Sequence, residues 1–155
     1  MPQLLKLFLI ALIIIGPSGK VQAQKLTELI AIKDIIWAKE KEIYKARAET
    51  GLDYYIANAS PNYIGWPPGI SAPSPLSQLK KNQALITKPN AERLELFFDD
   101  IAIHGDTAVI YYNTHRTMLP NGEIVDQRFH IAHVWTKDSD EDWKIVGAMG
   151  RLESE

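Results

Sequence analysis

The chain has 155 residues, four histidines, no cysteine and a formal charge of −2 at pH 7. That length suits one domain. The lack of cysteine excludes disulfides, thiol nucleophiles, iron–sulfur clusters and thiolate zinc sites, and an acidic balance without a basic run argues against a nucleic-acid partner.

The amino terminus has the three-part layout of a secretory signal peptide. Lys6 supplies positive charge, Leu7 to Ile15 form an apolar run, and Gly16, Pro17, Ser18 and Gly19 are expected to break any helix. Val21-Gln22-Ala23 then offers small or β-branched residues where a signal peptidase cuts, so cleavage after Ala23 is expected. The rival is an uncleaved membrane anchor, but this run falls short of the ~20 apolar residues that span a bilayer. Residues 24–155 then form a single domain that has lost Lys6 and Lys20 and no acid, which moves its formal charge from −2 to −4. The expected destination is the periplasm or the extracellular space, without stable insertion in a membrane.

Gln24 to Glu49 reads as one amphipathic helix. Leu29, Ile32, Ile36 and Ile43 form one apolar row, and Ile30, Trp37 and Tyr44 form a second row beside it. Gly51 ends the helix, and a shorter helix is expected over Leu52–Asn58. Pro61 to Pro75 is too rich in proline for regular structure, yet Tyr63, Ile64 and Trp66 mark it as an ordered loop packed on the domain. Leu76 to Ile86 is a candidate short helix.

The remainder reads as an antiparallel meander. Arg93–His104 is a strand with an irregularity at Asp99-Asp100, and Gly105-Asp106 turns it into Thr107–Met118. Asn121-Gly122 is a hairpin signal, because both residues tolerate positive φ. Glu123–Lys137, a polar turn over Asp138–Asp142 and Trp143–Arg151 complete the chain. Helices followed by an antiparallel sheet give an α+β class.

Several of these segments together resemble the nuclear transport factor 2-like superfamily. They are Tyr63-Ile64-Gly65-Trp66-Pro67, His104-Gly105-Asp106-Thr107-Ala108-Val109, His133-Val134-Trp135-Thr136-Lys137 and Trp143-Lys144-Ile145-Val146-Gly147. The polyketide-cyclase-like (SnoaL-like) members of unassigned function are the nearest in pattern. The resemblance implies a cone, with a strongly bent sheet wrapped around the first helix, a pocket at the open end, and a homodimer through the sheet's outer face. In the steroid-isomerase branch a carboxylate base lies in the loop that matches Gly65-Trp66-Pro67; Trp66 stands here, and Tyr63–Gly69 contains no acid. That activity does not carry over. The calcium/calmodulin-dependent kinase association domain, another relative, lines its pocket with arginines. Those positions correspond here to His115, His133 and, within one residue, Arg151.

Strand alternation gives an independent placement of the candidate site. Phe129, Ile131, His133 and Trp135 share the more apolar face of their strand, which puts His133 inside the cone. There it is either a hydrogen-bonded core histidine or a group suited to proton transfer near neutral pH. Glu40 falls near the centre of the apolar helix face, where a carboxylate is costly unless paired or protonated. It is either in the pocket or extended to the rim. Tyr111 and His115 are expected to converge on the same cavity, with Arg151 near its rim. Tyr44, Tyr54, Tyr55, Tyr63, Trp66 and Tyr111 line an aromatic pocket or pack the core. Trp37 and Trp143 belong to the core.

No metal or other cofactor is expected. His130 and His133 point to opposite faces of a strand, and His115 with His133 lacks a third ligand. Asp138, Asp140 and Asp142 imitate the start of a calcium loop without its later glycine and glutamate. Two function classes stay open. One is a pocket protein for a small apolar or aromatic molecule, extended to acid–base catalysis by Glu40 and His133 with Tyr44, Tyr55, Trp66, Tyr111, His115 and Arg151 as ligand contacts. The other is a non-catalytic dimerisation or accessory domain with a filled cone. A cavity of about 300 Å³ or more with converging polar groups would favour the first.

Overall fold

The computed structural model describes residues 17–86 and 88–153, with side chains from Val21 onward. The apolar run Leu7–Ile15 lies outside the described residues. Helix α1 covers Pro17–Thr50, α2 Asp53–Asn58 and α3 Leu76–Gln83; the strands are β1 (Ala59–Trp66), β2 (Ser74–Pro75), β3 (Arg93–His104), β4 (Thr107–Met118), β5 (Ile124–Lys137) and β6 (Trp143–Leu152). The strands form one curled, unclosed sheet in the order β2-β1-β6-β5-β4-β3. This is the expected α+β cone.

Helix α1 is held against the concave side of the sheet by its expected apolar face. Ile36 and Ile43 are fully buried against Ile110, Trp135 and Ile145, with Trp37 and Tyr44 packed beside them. Ile30, placed in the second apolar row, is instead half exposed. Pro17, Ser18 and Gly19 lie within α1 and do not interrupt it. From Val21 to Glu28 every residue of the helix is exposed, so its contacts with the sheet begin further along. Gly51 takes a positive φ of 66° and closes α1 by donating to Arg47 O at 3.1 Å, which is the backbone shape glycine allows at a helix end.

The meander follows the predicted order, and its turns explain why. Gly105 and Gly122 supply the positive φ at the β3–β4 and β4–β5 turns. The acidic turn Asp138–Asp142 is closed by its own first carboxylate, which accepts from the backbone N–H of Asp140 and Asp142 at 3.0 Å each. That is an Asx-type turn, in which the aspartate satisfies its own backbone. The irregularity expected at Asp99-Asp100 is present as a register shift between Phe98 and Asp100.

One segment departs from expectation. Within the proline-rich stretch, Ala59–Trp66 forms strand β1, paired parallel with β6 and antiparallel with β2. Pro61 is accommodated because the β1–β6 register shifts between Ala59 and Ile64, so no ladder hydrogen bond is required there. Tyr63 and Gly65 point inward, while Ile64 and Trp66 point outward. The Tyr63 ring folds back over Gly65, where a Cβ would lie 2.1 Å from its hydroxyl, so this position needs glycine.

Candidate functional site

The interior polar group is built on Glu40. It projects from the centre of the apolar face of α1 and is completely buried (0 % exposed). A bare carboxylate there would be costly, and three donors offset the loss of water. Trp135 Nε1–H donates to Oε1 at 2.7 Å, and the Tyr112 hydroxyl donates to Oε2 at 2.8 Å. His133 Nδ1 lies 2.8 Å from Oε1 and 3.0 Å from Oε2. His133 is itself 4 % exposed and comes from the inner face of β5, as strand alternation places it.

The network assigns the imidazole tautomer. As a carboxylate Glu40 only accepts, so His133 Nδ1 carries a proton, and His133 forms part of the cavity wall. Behind this pair, the Tyr112 hydroxyl has one proton and gives it to Glu40, so it accepts from the Tyr44 hydroxyl 3.2 Å away. On the other side, the rings of Tyr55 and His133 meet edge-on at 5.8 Å, and the Tyr55 and Tyr63 hydroxyls are 3.1 Å apart. Burial, the largest cause in each case, raises the pKa of all four phenols: Tyr44 to about 12, Tyr55 and Tyr112 well above the usual value, and Tyr63 above it. They are neutral hydrogen-bond donors at physiological pH.

Tyr44, Tyr55, Tyr63 and His133 border a cavity of about 380 Å³. Its walls come from α1, α2, α3, the Pro67-Pro68 turn and the inner faces of β3 to β6; Tyr44, Tyr55, Tyr63, His133 and two arginines supply most of its polar groups. Pro68 rests over Gly150, where a Cβ would come within 3.0 Å of the proline ring, and closes one side. The cone is hollow.

Four residues expected at this cavity are elsewhere, and two local causes account for most of it. The β4–β5 ladder pairs Ile110 with His133 and Tyr112 with Ile131. Paired residues share a face, so Tyr112 points inward and Tyr111, 43 % exposed, points outward. His115 follows the same parity, away from the cavity, and its Nε2 lies 2.6 Å from Asp126 Oδ1. Arg151 is moved by a bulge. Between Val134↔Gly147 and Trp135↔Ile145, β6 holds one extra residue, which reverses its alternation. Trp143 and Ile145 face inward on one side of it and Ala148 and Gly150 on the other, while Met149 and Arg151 are exposed. Trp66, on the outward parity of β1, donates from Nε1 to Ile70 O at 2.7 Å. Trp66, Tyr111 and Arg151 come together in a second, shallower depression of about 460 Å³ on the outer face.

The structure thus brings His133, Tyr44 and Tyr55 to one cavity, with Glu40 buried behind His133 and Tyr112, not Tyr111, bonded to it there. Sequence reasoning missed Tyr112, Trp135 as a donor, and the pair Arg47 and Arg116. Tyr112 had no plain signal: the β4–β5 turn pairs Met118 with Ile124, and only a register shift between Arg116 and Met118 puts Ile110, and with it Tyr112, on the His133 face. Among the described residues no group of three histidine, aspartate or glutamate side chains comes together in metal-binding geometry.

Neither a protein-family model nor a curated protein matches the sequence. Solved structures do match in shape. The CaMKII hub of S. rosetta superposes with a TM-score of 0.64 at 22% identity, over 76% of this chain and 94% of that one. A ketosteroid isomerase-like protein from Erwinia carotovora atroseptica gives 0.64 at 13% identity, over 79% and 96%. An NTF2-like protein from Cytophaga hutchinsonii gives 0.61 at 18% identity, over 79% and 98%. The chain has the nuclear transport factor 2-like fold. At these identities the likeness is one of fold, and proteins of this fold include both an isomerase-like protein and a hub domain. Function has to be argued from the cavity.

Proposed function

We propose that this chain is an exported protein whose cavity binds one small, largely apolar or aromatic organic molecule, and that His133 exchanges a proton with it. The Glu40–His133 pair at the wall of a hollow, mostly apolar cavity carries this reading. Glu40 holds Nδ1–H, which fixes the ring and presents Nε2 as the proton acceptor; it would also stabilise the imidazolium formed when Nε2 takes a proton. Tyr55 and Tyr63, whose hydroxyls share one hydrogen bond, retain one O–H to donate to an oxygen on which negative charge develops. Such a set suits cofactor-free isomerisation, cyclisation, dehydration or hydrolysis. Mass spectrometry of compounds retained by the purified protein tests the binding step. His133→Phe and Glu40→Gln should reduce ligand turnover at least about tenfold more than they reduce the folded fraction. Equal retention and turnover in the variants would refute the role of the pair.

Export is supported by the exposure of every residue from Val21 to Glu28, since a cut after Ala23 removes no buried side chain of the described structure. The secreted protein should begin at Gln24 on amino-terminal sequencing; a membrane-bound chain beginning at Met1 would refute this. A second reading, a dimerisation or accessory module, is favoured by one observation: Trp66, Ile70, Tyr111, Met149 and Leu152 are all about half exposed around the outer depression. Apolar patches of this kind mark interaction surfaces. A homodimer through this face is compatible with a working cavity on the other, and sedimentation equilibrium of Tyr111→Glu against the parent would detect it.

A further inference from the structure

We infer that the ligand is an organic anion, its carboxylate held by Arg47 and Arg116 and its apolar or aromatic body running toward Tyr55 and His133. This rests on the pocket reading above and narrows it to a substrate class. Arg47 comes from the last turn of α1 and Arg116 from the inner face of β4, and both line the cavity. Glu92, its side chain 4 % exposed, sits between them: Arg47 Nε is 3.0 Å from Oε2, Arg47 Nη2 donates to Oε1 at 3.2 Å, and Arg116 Nε lies 3.0 Å from Oε1. Two guanidinium charges therefore face one carboxylate. No aspartate or glutamate lines the cavity itself, so the charged side chains on its wall are both arginines, with Glu92 between them and Glu40 at the other end behind His133.

Hydrogen bonding points the same way. Arg116 Nε is buried and ion-paired with Glu92 Oε1 at 3.0 Å, but it is not aligned for a hydrogen bond to it. Arg116 Nη1 donates only at 3.3 Å, to Gln127 Oε1. Burial pulls the Arg116 guanidinium below its usual pKa, and the Glu92 charge opposes this without cancelling it. A partly desolvated arginine with a misaligned Nε and a long Nη1 bond, beside a second arginine, is a good receptor for a carboxylate, which accepts two parallel N–H bonds.

The cavity also sets an orientation. Arg47 follows Glu40 by seven residues on α1, about 10 Å along the axis. The negative charge of Glu40 behind His133 disfavours a second anion at that end. A carboxylate at the arginines would place the far end of a phenyl- or alkyl-sized body against His133 Nε2 and the tyrosine pair.

Calorimetric titration with 3-phenylpropionate and with its neutral amide, 3-phenylpropanamide, tests this. The acid should bind at least about tenfold more tightly, and added salt should weaken the acid more than the amide. Arg116→Gln should abolish the difference, while Arg93→Gln, on an exposed position of β3, should leave it. Should Arg116→Gln fail to fold, Glu92→Gln replaces it: removing the internal competitor should strengthen binding of the acid several-fold without changing that of the amide. Equal affinity for acid and amide overturns the anion assignment while the pocket reading stands. Binding of neither also overturns it, and the retained-compound experiment then decides the pocket reading separately. Unchanged acid affinity in Glu92→Gln identifies the triad as a purely structural clasp.

Discussion

Replacing Glu40 by alanine and by glutamine should have very different costs, and the difference follows from counting partners. In the parent, Trp135 Nε1–H, the Tyr112 hydroxyl and His133 Nδ1 all converge on the two carboxylate oxygens. Alanine leaves all three facing a void. The Tyr112 hydroxyl can turn to Tyr44, and His133 can move its proton to Nε2, but the indole N–H of a fully buried Trp135 has no alternative. One orphaned buried donor costs about 1–3 kcal/mol, and the lost methylenes and charge-assisted bonds bring Glu40→Ala to about 3–5 kcal/mol. Glutamine keeps the shape. Its oxygen, placed where Oε1 was, accepts from Trp135 and from His133 Nδ1–H, while its NH₂ donates to the Tyr112 hydroxyl, which turns its own proton to Tyr44. Every group then has a partner, and the cost falls to about 1 kcal/mol. The exchange removes the negative charge that would stabilise an imidazolium at His133, so the same variant that folds well loses that support for proton exchange. Urea unfolding gives the two stabilities, and ¹⁵N chemical shifts of the His133 ring give the tautomer. A Glu40→Ala cost below about 1 kcal/mol, or a parent His133 that carries its proton on Nε2 alone, would refute the network as drawn.

Three further outcomes test other parts of the structure. Tyr112→Phe removes a donor to a buried carboxylate and should cost about 1.5–3 kcal/mol, while Tyr111→Phe should stay within about 0.5 kcal/mol; the reverse order would mean that β4 presents its other face. The Asp142 carboxyl is drawn down to about 2, first by hydrogen bonds from Lys144 and Lys39. A depressed acid stabilises the fold above its unfolded pKa, about 3.9, and this contribution is lost as pH falls toward 2. Its side chain is 45% exposed, so screening keeps the gain near 1 kcal/mol or less. The urea midpoint of Asp142→Asn should therefore fall below the parent's at pH 6 and converge on it as the pH falls through about 2; a gap that does not narrow would remove the ion pairs as its cause. Gly65→Ala should displace the Tyr63 ring at a cost of about 1–3 kcal/mol, most of which should vanish in a Tyr63→Ala background.

The sequence makes some of these features legible and hides others for identifiable reasons. Period 3.6 in α1 and period 2 in β5 independently turn Glu40 and His133 toward one interior, because each element is buried on a single face and its apolar pattern records that face. The meander order and the Asp99 irregularity are legible for the same reason, together with the glycines at its turns. Strand β1 is not, because its ladder partner is β6, about eighty residues later, and nothing local in a segment with Pro61, Pro67 and Pro68 announces a parallel pairing.

Tyr111, Tyr112 and Arg151 mark the boundary between the two cases. Adjacent residues on a strand differ by a whole face, so a correct strand with an unexamined register is uninformative about any side chain on it. On β4 both alternating sets are similarly apolar, so the apolar pattern alone does not choose, and the register shift between Arg116 and Met118 separates Tyr112 from Tyr111. On β6 even the register does not suffice: the extra residue between Ile145 and Gly147 is a tertiary event without a signature in the local sequence, and it sends Arg151 outward after Trp143 and Ile145 have pointed in. The positive charge of the cavity therefore comes from Arg47 and Arg116, on α1 and β4. The first lies one helical heptad beyond Glu40, and the second lies two inward positions beyond Tyr112. Both share a face with a member of the buried network, so the anion-binding end and the proton-exchanging end of the cavity are set by the same two alternations.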